Sequence, residues 1–187
     1  MNIPSFARAG IRKNIFPRHA VAVLLSLAGG FAATHAMAAD LNSADKQFMM
    51  SAAHAGATEI QASQAASTKA GSDTVKSFAT QMVDDHSKVA DELKALADSK
   101  GVQIEAQPDK KQQATINKLN GLDGKKYDKE YAADIGVAAH KDAVALFRKT
   151  SMNAKDPDVK SFATKTLPSL EHHLQMAQDL KTSVDKQ

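Results

Sequence analysis

The chain contains no cysteine among its 187 residues. Disulfides, thiolate metal sites, cysteine nucleophiles, covalent haem attachment and lipid attachment to cysteine are therefore excluded together. Tryptophan is also absent, and aromatic residues make up only 5% of the chain. A β-sandwich or barrel draws on more aromatics and on frequent turns. No run of ten residues alternates as the strands of an outer-membrane barrel do. There is no P-loop, no G-x-G-x-x-G and no Ser-His-Asp order, so hydrolase and nucleotide-binding readings have no motif behind them. Glycine and proline are few, at nine and five, which leaves long stretches without punctuation.

Acid is missing from the first segment. Residues 1–38 carry Arg8, Arg12, Lys13 and Arg18 and no Asp or Glu. The formal charge of +3 comes from that segment; outside it 20 basic residues face 21 acidic ones. A near-neutral chain offers no electrostatic footprint for a polyanion, so no nucleic-acid partner is expected. After the basic stretch come the apolar residues Ala20 to Ala33, then Ala36-Met37-Ala38, and the first acid is Asp40. This is the three-part pattern of a cleavable export signal, with cleavage expected after Ala38 and Ala39 as the mature N-terminus. The apolar run is short for a hydrocarbon core of about 30 Å. No later segment is continuously apolar, so no integral membrane span is expected once the signal is removed. The expected address is the periplasm or the medium, with peripheral attachment to the outer membrane as a further option.

Residues 39–187 are expected to form one all-α domain, a size that buries roughly 70% of its unfolded surface. Gly71, Gly101, Gly121, Gly124, Pro108 and Pro157 divide it into Ala-rich, charge-studded stretches of helical period. The spacing predicts helices over about 43–70, 72–100, 125–152 and 157–183, with a linker over 101–124 that holds a short helix from Pro108 to Gly121. Ser72 is the candidate N-cap of the second helix, and Gly101 stands where a C′ glycine belongs. Asp156-Pro157-Asp158 caps the fourth. Pro168, inside that helix, predicts a bend or bulge between Phe162 and His173. Val75-Lys-Ser-Phe-Ala-Thr80 recurs letter for letter at 159–164. Each copy opens the second helix of a pair, which points to a duplicated hairpin and a four-helix bundle.

At 100° per residue each helix shows one apolar stripe. The first carries Phe48, Ala52, Ala55 or Gly56, Ala62 and Ala66. The second carries Val75, Phe78, Met82, Val89, Leu93 and Leu96. The third carries Ala133, Val137, Val144 and Phe147, and the fourth Phe162, Thr166, Leu170, Ala177 and Leu180. Each stripe is broken once, by Glu59, His86, His140 and His173 respectively. Their distances from the hairpin turns differ by about one helical turn, roughly 5 Å of rise, so the four can share one level of a bundle. Two readings of the cluster stand side by side: a metal site, or a hydrogen-bonded polar layer in the core. Asp85, beside His86, is placed to orient an imidazole from behind. His54 and His172 point toward water or the bundle flank, Asp84 toward water, and Met49, Met50 and Met82 read as core filler.

Phe48 with Gly56 and Glu59, Phe78-Ala79-x-x-Met82-Val83-x-Asp85-His86, Leu93-x-x-Leu96-Ala97 before Gly101, Tyr127-Asp128-x-x-Tyr131, His140, and Leu167-Pro168-x-Leu170-x-x-His173-Leu174-x-x-Ala177 resemble one bacterial family. It is the domain of unknown function 4142, labelled a predicted outer-membrane protein and grouped with ferritin-like bundles. The resemblance spans about 41–181 and implies an exported, ferritin-like four-helix bundle whose activity the family leaves open. Ferritin-type di-iron sites use Glu-x-x-His on two helices and a Glu on each of the others. Here Val83 and Leu170 stand three residues before His86 and His173, and His140 replaces a Glu. One Glu and three His suit a single Zn, Fe, Mn or Cu ion better than a di-iron centre. The expectation is a binding or stress-related accessory protein of the envelope rather than an enzyme, with an envelope protein or a second copy as its partner. The alternative is a metal-dependent redox enzyme using the same cluster; a non-covalent haem bundle stands third.

Overall fold

The computed structural model describes residues 41–187. The expected export signal over 1–38 and its cleavage site after Ala38 lie outside the described residues. Helix α1 (Ser43–Lys69) starts where the Asn42 side chain accepts the N–H groups of Ala44 and Asp45, satisfying two donors that a helix start leaves free. A short turn at Gly71 leads to α2 (Asp73–Ser99). Ser72 occupies its N-cap without a side-chain bond. The helix ends as Gly101 takes φ of +65° and the Val102 N–H bonds back to the Ala97 carbonyl, a left-handed stop that glycine adopts without steric cost. Residues 102–109 run without regular structure to α3 (Lys110–Asn120), which opens on a capping box between Asp109 and Gln112.

The next rod is continuous over 124–153 but not uniform. It consists of α4 (Gly124–Tyr131), a π-helical stretch (Ala132–Ala139) and α5 (His140–Asn153). Helix α6 (Pro157–Asp185) begins with Pro157 in its first turn and the Asp156 carboxylate accepting from Asp158 and Val159. A second carboxylate supports this corner from a distance: buried Asp45 on α1 accepts the N–H groups of Lys155 and Asp156. All regular structure among the described residues is helical, apart from one isolated bridge between Ala70 and Gly124.

Helices α1 and α2 pack as one hairpin, and the 124–153 rod packs with α6 as another. The repeated hexapeptide buries the same letters in both. Val75, Phe78 and Ala79 on α2 are buried, as are Val159, Phe162 and Ala163 on α6. The core has two halves. One gathers Ala62, Ala66, Phe78, Met82, Tyr127, Tyr131, Ile135 and Leu180. The other gathers Phe48, Met49, Leu93, Phe147, Phe162 and Leu170, with the Phe48 ring 5.0 Å from Phe147 and 6.2 Å from Phe162. On every rod a buried polar position separates the two halves: Glu59, with Thr58 beside it, His86, His140 or His173. No described helix is long and apolar enough to cross a membrane.

Three expectations need correction. Helix α6 runs as α-helix through Pro168 with no bulge; the bulge falls on the opposite rod, at 132–139. The apolar stripe of that rod therefore shifts. Ala132, Ile135 and Gly136 are buried there, while Ala133 and Val137 are only half-buried, because an i→i+5 segment turns less per residue than the α period used to draw the stripe. Met50 is 40% exposed rather than core filler; Met49 and Met82 fill the core.

Candidate metal centre

The polar layer is dry. Glu59, His86, His140 and His173 are each at most 3% exposed. Helix α1 presents Glu59, α2 presents His86, α6 presents His173, and His140 is the first residue after the π stretch. The three imidazoles form a triangle with ring centroids 5.3, 5.3 and 5.7 Å apart. One ring nitrogen from each lies within 4.8 Å of the other two, the one such group of potential ligands among the described residues.

The outer nitrogens all meet acceptors. His86 Nδ1 lies 3.1 Å from Glu59 Oε2. His140 Nδ1 lies 3.1 Å from the Ile135 carbonyl and 3.6 Å from Glu59 Oε1. His173 Nε2 lies 3.2 Å from Asp85 Oδ2. An acceptor at each outer nitrogen fixes the tautomer, since a neutral imidazole has one N–H and one lone pair. The tautomers that these acceptors favour carry their protons on His86 Nδ1, His140 Nδ1 and His173 Nε2. Each donates outward, to Glu59, Ile135 and Asp85.

The remaining nitrogens are His86 Nε2, His140 Nε2 and His173 Nδ1, and each carries a lone pair. The two Nε2 atoms are 3.3 Å apart, and in that tautomer set neither has a proton to donate. His173 Nδ1 is buried with no partner at all. Buried polar atoms are nearly always satisfied, and an electron-pair acceptor between the three rings would satisfy these nitrogens. A divalent cation is such an acceptor. Two nitrogens held at about 2.0–2.1 Å in tetrahedral coordination stand roughly 3.3–3.4 Å apart.

Charge leads the same way. The Glu59 carboxylate is buried against two imidazole N–H groups, and its Oε1 lacks a hydrogen bond. A buried anion without a cation costs several kcal/mol. Protonating the histidines is a poor remedy here. Burial pushes the His86 imidazole below its ordinary value against the opposing pull of Glu59. His173 is pushed down to about 4, chiefly by burial and then by its two histidine neighbours, with Asp85 opposing. Neutral His86 and His173 imidazoles and an ionised Asp85 are the forms that metal binding needs.

Sequence position brought all four expected residues to one level, but the roles divide. Glu59 meets the outer nitrogens, so it stands behind the imidazoles rather than among the converging atoms. Asp85 orients an imidazole, but that of His173 on the other hairpin, not that of its neighbour His86. Burial alone would raise the Asp85 carboxyl; its hydrogen bonds with His173, Gln81 and Lys88 outweigh this and hold it below its usual value. Asp84 and His172 are exposed. His54 is half-buried and bonds to the Gln107 carbonyl of the 102–109 segment. The Ile135 carbonyl is a participant that residue spacing missed; Gly136, whose position leaves no room beyond 3.1 Å from the Ala177 side chain, is the one sequence sign of the irregular turn that delivers it.

Fold and site together define an all-helical protein with a buried three-histidine cluster, each imidazole backed by an acceptor. A family model described as domain of unknown function (DUF4142) matches residues 30–180, and the chain belongs to that family. No curated protein and no solved structure matches the chain.

Proposed function

We propose that the protein is an exported metal-binding protein, a ferritin-like four-helix bundle that holds one divalent transition-metal ion through His86, His140 and His173. The observation that carries this reading is the convergence of three buried ring nitrogens within 4.8 Å of one another, one of which, His173 Nδ1, has no partner. Glu59, Asp85 and the Ile135 carbonyl hold the rings in the ligating tautomer and, for the two carboxylates, balance the ion's charge. Zn, Fe, Mn and Cu all accept an imidazole set. Export to the periplasm rests on the basic, apolar and Ala-x-Ala pattern of residues 1–38. The binding role in the envelope is the first reading. The alternative, a redox enzyme, draws support from the absence of a fourth protein ligand in the cluster, since three-ligand sites keep a position open for substrate.

Titration with Co2+, followed by visible absorbance, tests the site. Wild-type protein is expected to take up one ion per chain. His86→Ala and His173→Ala are expected to abolish stoichiometric uptake, whereas His54→Ala and His172→Ala are expected to leave it unchanged. A wild-type protein that stays folded and takes up no Co2+ refutes the reading and leaves the cluster a purely structural polar layer.

A further inference from the structure

A cavity of about 1210 Å³ lies between α1, α2 and the 102–109 segment, and His86 forms part of its wall. Of the three cluster histidines it is the one that reaches this space. The floor is apolar and small: Ala53, Gly56 and Ala57 on α1 face Val89, Ala90 and Leu93 on α2. Val102 and Ile104 cover it from the connecting segment while remaining half-buried. That cover is held at both ends, by the left-handed turn at Gly101 and by the His54–Gln107 hydrogen bond.

Gly56 is the informative residue. It sits in the interior of a 27-residue helix, where glycine costs about 1 kcal/mol relative to alanine. Its backbone does not take a positive φ, and a Cβ built there meets nothing within 4 Å. Neither conformation nor close packing requires glycine at this point. Open space beside the His86 wall is what a larger side chain would remove.

We propose that this cavity is the substrate chamber of the three-histidine centre and that it admits a largely apolar small molecule without negative charge. The inference rests on the metal reading above. The lining suits a small molecule, since such sites are mostly apolar with a few polar groups, and the space of about 1210 Å³ is somewhat larger than the usual upper limit of about 1,000 Å³. Charge selects the class. The lining carries Asp91, Asp98 and Glu105 against Lys94, and Lys94 is engaged by Asp98 at 2.6 Å. The surplus is negative, which disfavours anions. The same surplus sets no penalty on a neutral or cationic molecule.

The test uses the neutral fluorophore N-phenyl-1-naphthylamine and Co2+ as reporters on the whole protein. Co2+-loaded wild type is expected to bind one fluorophore per chain, and saturation is expected to shift the Co2+ visible spectrum. Gly56→Leu and, on the facing helix, Ala90→Leu are each expected to weaken fluorophore binding at least tenfold while still taking up one Co2+. The anionic relative 8-anilinonaphthalene-1-sulfonate is expected to bind at least tenfold more weakly than the neutral probe. Normal Co2+ uptake with fluorophore binding that ignores both substitutions overturns the chamber alone. So does a Co2+ spectrum unmoved by saturating fluorophore, and equal binding of the anionic probe overturns the ligand class. Wild type without Co2+ uptake overturns the metal reading, and with it the chamber's service to a metal.

Discussion

Asp85 offers the sharpest perturbation of the centre because it touches one cluster ring, its other hydrogen bonds running along its own helix to Gln81 and Lys88. Its Oδ2 accepts from His173 Nε2 at 3.2 Å, and its side chain is 32% exposed. A half-buried side chain with one such hydrogen bond contributes about 1 kcal/mol to folding. The carboxylate behind a ligating histidine, by contrast, is worth roughly 10–100-fold in metal affinity, which is about 1.4–2.7 kcal/mol. Asp85→Asn keeps an acceptor oxygen and loses the charge, so it is expected near the lower limit. Asp85→Ala loses both and is expected near the upper. Asp84→Ala, on the exposed neighbour, is the control and is expected to bind as wild type does. Competition for Zn2+ against a chromophoric chelator reads all three affinities. An Asp85→Ala protein that holds Zn2+ as tightly as wild type would refute the tautomer reasoning, because His173 would then need no partner to present its Nδ1.

Other consequences follow from the same geometry. The metal-free protein is expected to lose stability in acid: His173 titrates near 4 when folded but near its ordinary 6.5 when unfolded. The unfolded chain therefore takes up the proton first, and stability is full above about 6.5 and declines as pH falls toward 4; the shift bounds the loss at about 3 kcal/mol, less what solvent screens. Urea titrations across that range measure it, and a flat profile contradicts it. Phe48→Ala removes the ring that meets both Phe147 and Phe162 and is expected to cost about 3–5 kcal/mol by chemical denaturation. Asp45→Ala strands the N–H groups of Lys155 and Asp156, with an expected loss of about 1–3 kcal/mol, while Co2+ uptake stays at one per chain.

The helices and the polar layer were legible for a simple reason. Long α-helices repeat every 3.6 residues, so a single His or Glu interrupting a stripe declares its own direction. Glu59 and His173, each eleven residues from a buried phenylalanine, fall about 20° from it at 100° per residue, and both are buried. The method fails where the period changes. Eight residues of π-helix before His140 moved burial from Ala133 and Val137 to Ala132, Ile135 and Gly136. Apart from Gly136, the residues of that stretch give no sign of such a turn, since Ala, Ile and Val fit either helix. Of the bend or bulge expected at Pro168, the bulge is absent: the α-helix runs on through it without an inserted residue. The pairing of Asp85 with His173 joins residues 88 apart in sequence and depends on how the hairpins face each other, which stripes alone do not specify. Neither does spacing separate a ligand from the group behind it. Glu59 and the histidines share a level, and only the ring-nitrogen distances show that Glu59 meets outer edges.

Metal content of the protein isolated from the periplasm, without unfolding or chelators, tests the central claim most directly. Elemental quantification is expected to find one equivalent of a single transition metal per chain, on a polypeptide that begins at Ala39. X-ray absorption on the same sample is expected to show imidazole nitrogens at about 2.0–2.1 Å, with the signal lost in His140→Ala. Folded periplasmic protein with no stoichiometric metal, which also fails to take up added Zn2+ or Co2+, would contradict the account.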